Sequence, residues 1–174
     1  MITFLRLVGA LNAAIWLGSV VFFTLVVWPA FDSEIMLSLL GSGGHAQLAG
    51  LIVMERFFTV TLACSLIAVF QLGVEWLYTG KPVNKPNLYV LVATLALCLL
   101  GWMVLQPNMT EEHAVRTSKS RTLEERQEAH RSYQILFGVT QATTLLLIAG
   151  VGFYSWRIIQ PPAQPRFTSS RFRS

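Results

Sequence analysis

Four stretches of this chain stay apolar for longer than a soluble protein tolerates: Leu7–Phe31, Phe57–Tyr78, Leu88–Leu105 and Tyr133–Ile159. Crossing roughly 30 Å of hydrocarbon takes about 20 mostly apolar residues wound as a helix. A bilayer offers the backbone no hydrogen-bond partner, so a helix is the form such a segment adopts. The composition agrees, with 53% hydrophobic and 13% charged residues and a mean hydropathy of +0.54, far from the balance of a soluble domain. The expected fold class is all-α, an integral membrane four-helix bundle over residues 1–160 followed by a mobile basic tail over 161–174.

The first segment reads as a retained span. Its apolar stretch is too long for the core of a signal peptide and lacks a small-x-small cleavage site. It closes on Trp28, Pro29 and Phe31, residues suited to an interfacial anchor. With four spans the N-terminus, the connection 79–87 and the tail share one side. That side carries Arg6, Lys81, Lys85, Arg157, Arg166, Arg171 and Arg173. Opposite them, the loop 32–44 has no Lys or Arg, and the loop 106–132 has five, matched by five glutamates. The excess predicts cytoplasmic termini and fits a bacterial inner membrane. The net charge of +4 reads as a tail held against anionic headgroups and not as a nucleic-acid surface.

Glu55 and Arg56 interrupt an apolar run just ahead of the second span. Charge is costly at the bilayer centre and tolerated near the interface. The pair is expected to mark the outer interface, with its long side chains reaching outward; a functional ion pair is the alternative. Past the third span, "TLEERQEAHRSYQ" offers Thr122 as an N-cap with Glu125 three residues on, the pattern of a capping box. The fourth helix is therefore expected to start above the membrane. Another helix is expected to start near His45.

Each span carries one sparse stripe of small or polar residues at helical spacing. Span one has Gly9, Asn12, Trp16 and Ser19; span two has Cys64, Ala68, Gln71 and Glu75. Span three has Thr94, Cys98 and Gly101; span four has Gln134, Gly138, Gln141 and Gly152. Small residues let membrane helices approach, and polar ones bond across the interface. The stripes predict a compact seam; a conduction path or cofactor cavity is the functional alternative. The two cysteines fall inside spans and imply no disulfide framework.

All three histidines, His45, His113 and His130, fall on the predicted outer side, with Met36 and Met109 in the same loops and Glu55 near in sequence. Imidazole and thioether together suit copper. A metal site through His45, Met109, His113 and His130 is therefore one expectation. Haem has less support, because a haem held between helices takes axial ligands from within the spans, and no histidine lies there. No nucleophile–base pair, phosphate-binding glycine loop or deep carboxylate pair is present.

A resemblance rests on "LNAAIWLGSVVFFTLVVWPAF", with Trp16-Leu17-Gly18 and the closing Pro29-Ala30-Phe31, and on "MERFF", "QPNM" and "ERQEAHRSY". On these motifs the chain to about Trp156 resembles the four-span family that includes transmembrane protein 205. His130 and Ser132 keep that family's His and Ser, without its preceding aromatic. More distantly, the Trp-x-Gly to Pro pattern is similar to copper-resistance protein D and to membrane protoporphyrinogen oxidase relatives. The resemblance implies a four-helix membrane bundle, and its distant part adds to the copper expectation. The leading functional expectation is a non-enzymatic membrane module or partner subunit, in contact with lipid and with a membrane-protein partner or its own copies. Copper handling and a haem or redox protein are the alternatives; a transporter ranks below them.

Overall fold

The computed structural model describes residues 2–31, 33–40, 43–79, 85–118 and 122–159. Among these every regular element is helical; the tail expected to be mobile lies outside the described residues. The first long helix starts as Ile2–Phe22, continues through a π-helical stretch Phe23–Val27 and ends in the turn Trp28–Phe31. A short helix, Glu34–Leu39, follows. The second long helix is Gly43–Thr79, beginning close to His45 as expected. The third runs Lys85–Leu100, a π stretch Gly101–Leu105, then Gln106–Thr117. The fourth is Leu123–Ile159.

All four long helices are apolar enough to cross a bilayer. The first and third each pack against the second and the fourth, and successive helices run antiparallel. This is an up-down bundle. Its interior is led by Trp16, Val20, Met54, Phe58, Met109 and Leu147, all inaccessible. Thr61, Ser65, Thr94 and Thr144 are buried among them, while Phe70, Leu77 and Leu145 are exposed on the outside. Apolar groups thus cover the outside as well as the inside, the arrangement a lipid solvent favours.

The two π stretches have one cause. In each, the residue that follows sends its N–H to a carbonyl five positions back, Trp28 to Phe23 and Gln106 to Gly101. Proline comes next both times, as Pro29 and Pro107. A proline inside an α-helix has no N–H to offer, and its ring clashes with the carbonyl four residues back. A wider turn relieves that clash.

The third helix therefore continues to Thr117 instead of ending at Leu105, which corrects the expected loop 106–132: most of it is helix. At 1.5 Å per residue, the 37-residue fourth helix is about 55 Å long. A hydrocarbon layer of roughly 30 Å cannot cover that length. The surplus stands as a helical projection at the end away from the termini.

Candidate functional site

Polar side chains gather in two places, one at each end of the bundle. At the end that holds the chain termini, Asn12 donates through Nδ2 to the Cys64 carbonyl at 2.9 Å, and Gln71 Nε2 donates to the Leu5 carbonyl at 3.0 Å. These bonds tie the first helix to the second. Gly9 makes the approach possible, because a Cβ there would run into the Gln71 carboxamide. Tyr154 packs edge-on against Trp16 with ring centres 5.9 Å apart. Arg157 Nε donates to Asn87 Oδ1 at 3.0 Å, joining the fourth helix to the third. Between these groups lies a cleft of ≈ 60 Å³ lined by Gln71, Glu75, Asn87 and Tyr154 together with apolar neighbours.

At the far end the projecting helices are fastened to the start of the second. The His113 ring nitrogen Nε2 is 3.0 Å from the Gly44 carbonyl; a carbonyl only accepts, so Nε2 carries the proton. Arg116 donates to Gln47 Oε1 and lies over the Tyr133 ring, 5.0 Å from its centre. The Thr140 hydroxyl lies 3.3 Å from the Met109 sulfur. Beside these contacts a cleft of ≈ 50 Å³ is walled by Trp28, Phe31, Tyr133 and Phe137, with Gln47 and Gly50 at its base. The fourth helix begins as expected: Glu125 N–H donates to Thr122 Oγ1 at 3.3 Å, and Thr122 N–H donates to Glu125 Oε2 at 3.0 Å.

The three histidines considered for copper do not form one group among the described residues. Met109 and His113 lie one turn apart on the same buried face, but the sulfur faces the Thr140 hydroxyl and Nε2 faces Gly44. His45 and His130 are exposed, and His130 Nε2 lies 3.3 Å from Gln134 Nε2 on its own helix. Met36 is half-buried on the short helix. Among the described residues no three His, Cys, Asp or Glu side chains are grouped so that they could hold a metal ion.

Glu55 and Arg56 are both exposed on the outer surface of the second helix. Adjacent helical positions point about 100° apart and do not face each other. Phe57, the next residue, stacks on Phe23 with ring centres 4.0 Å apart, and Phe23 in turn meets Trp28. The pair therefore lies close to the aromatic rim where the first helix ends.

Of the stripe residues, Asn12, Trp16, Cys64 and Cys98 are buried, Ser19 and Gln71 partly so, and Glu75 is exposed at the mouth of its cleft. Gly101 faces the Phe58 ring, and Gly150 faces the Thr94 hydroxyl. The fourth helix departs from expectation. Gln134 is exposed, Gln141 is partly buried, and Gly138 has open space beyond its Cα. Its buried face is instead Tyr133, Thr140, Thr143, Thr144, Leu147, Val151 and Ser155. The hydroxyls of Thr140 and Thr144 donate to carbonyls four residues back. They turn methyls toward the core, so this helix pairs through threonines where its glutamines and Gly138 had been expected.

Comparison with curated proteins and with solved structures gives no match. A family defined by sequence matches residues 11–118, which take in most of the first helix, all of the second and the third with its projection. Since that is more than half of the chain, the protein belongs to the family described as domain of unknown function DUF4149.

Proposed function

We propose that the protein is a non-enzymatic membrane module that serves as a partner subunit, docking a second membrane protein on its helical projection. The observation that carries this reading is the way the projection is held. His113, Arg116 and Tyr133 lock the third and fourth helices onto the second, spending part-buried polar contacts on a part of the chain the bilayer does not support. A polar network of this kind rigidifies what it joins. Glu111, Glu124, Glu128 and Arg131 stay exposed on the rigid surface, a charged face that complements a partner by steering and register. The resemblance to the family of transmembrane protein 205 supports the same architecture and adds no activity.

Purification from native membranes in mild detergent tests this. A defined larger assembly is expected, and replacing Glu124, Glu128 and Arg131 together by alanine is expected to release the partner while leaving the bundle folded. Recovery of the unaltered chain as a lone monomer after crosslinking in intact membranes defeats the reading.

A further inference from the structure

We infer that the half of the bundle nearest the chain termini is a hydrated inlet, a blind cleft that admits water and small hydrogen-bonding solutes from that side to the indole of Trp16 at the bundle centre. The cleft opens beside Glu75 and Asn87, and its ≈ 60 Å³ is room for several waters, each needing roughly 10–15 Å³ of such space and two to four polar partners. Those partners are present: the Glu75 carboxylate, the Asn87 and Gln71 carboxamides and the Tyr154 hydroxyl.

Beyond the lining of the cleft, buried polar atoms continue inward. Gln71 Oε1 is buried with no protein partner among the described residues, and so are Trp16 Nε1, Ser65 Oγ and Ser155 Oγ. Ser155 adjoins Tyr154, Ser65 lies one turn from Ala68 in the cleft wall, and Trp16 packs on Tyr154. A helical serine can rotate its hydroxyl onto a carbonyl of the preceding turn, so the serines carry less weight. The indole and the carboxamide have no such escape. Flipping the Gln71 amide would only set its oxygen against the Leu5 carbonyl that Nε2 now reaches.

The far half contrasts with this. There the hydroxyls of Thr24, Thr61, Thr140 and Thr144 all have acceptors. Among the described residues the one further unpartnered buried atom, Arg126 Nε, lies on the projection. Inaccessible Met54, Phe58 and Leu147 close the core above Trp16. The inlet is therefore open on one side only.

Single cysteines at Ala68, Leu72 and Phe70, in a chain with Cys64→Ala and Cys98→Ala, test the inlet in phosphatidylcholine–phosphatidylglycerol vesicles of known orientation. A small cationic methanethiosulfonate applied on the termini side is expected to modify A68C and L72C at least tenfold faster than lipid-facing F70C. From the other side neither is expected to react. Equal and negligible rates at all three positions overturn the inlet, and so does reaction from the far side alone. Should the cysteine-free chain not fold, exchange of the Trp16 indole proton in D₂O is read in the unaltered protein by NMR, with W16F supplying the assignment. Exchange as slow as that of the best-protected backbone amides overturns it too.

Discussion

Gly101 and Gly138 are the same residue in opposite situations. A Cβ at Gly101 would run into the ring of Phe58, which has no accessible surface and nowhere to turn, whereas a Cβ at Gly138 would meet nothing. Overpacking a tight core costs about 1–3 kcal/mol, and alanine returns up to about 1 kcal/mol of helix propensity. Gly101→Ala is therefore expected to destabilise the bundle, and Gly138→Ala to leave it unchanged or slightly firmer, as measured by thermal unfolding in one detergent. Sequence spacing put both glycines on the seam, because spacing reports a face and not which neighbour fills it.

His113 has a pH signature of its own. Burial holds its imidazole below the ordinary histidine range, and the Arg116 guanidinium and the nearby His45 push the same way, against the Gly44 carbonyl. It lies some two turns past Leu105, on the projection and outside the stretch read as crossing the membrane. Because the folded state resists protonation, the unfolded state binds more protons in the window below the ordinary value of about 6.5. The stabilising contribution is complete above that value and is lost as the pH falls through it toward the lower folded pKa. Thermal unfolding of the unaltered chain is expected to weaken between pH 7.5 and 5 more than that of His113→Gln. Parallel curves for the two would show that His113 is not the titrating group.

At the scale of elements, one local motif is legible directly and another only in hindsight. The capping box at Thr122 and Glu125 was readable because both partners are set by a three-residue spacing. Thr122→Ala removes the acceptor of the Glu125 N–H, a loss of about 0.5–2 kcal/mol for such a cap. Faster amide exchange is expected in the first turn after Leu123 with the spans unaffected; an unchanged exchange pattern would mean the cap is idle. The continuation of the third helix through Pro107 was not readable in the same way. Proline after an apolar run reads as a stop, and only the π turn at Gly101–Leu105, a response of the backbone to that proline, lets the helix go on. The threonine face of the fourth helix was missed for a related reason. A threonine that bonds back to its own helix behaves as a methyl, which a search for polar stripes passes over.

At the scale of the whole molecule, hydropathy gave the number of spans, since lipid contact is what it measures, and it was blind to the helical projection that water surrounds. The direction of insertion rests on charge. Four spans put the termini together, and that side holds seven Lys and Arg against six on the other, Arg56 at the outer interface included. Five of those six belong to a segment that also carries five glutamates, but acidic residues contribute little to the rule, so the real contrast is narrow. Basic residues count within about 15–20 residues of a span end, and those on both sides meet that limit in sequence; on the termini side Arg6, Lys85 and Arg157 stand at the very edges of their spans. The expectation is cytoplasmic termini with the projection outside. A cysteine at Ser118, at the tip of the projection, is therefore expected to react with an impermeant maleimide in intact spheroplasts. One at Ser174 is expected to react only after lysis. Labelling of Ser174→Cys before lysis, with Ser118→Cys protected, would invert the molecule and put the inlet's mouth on the outer face; labelling of both would break the four-span topology itself.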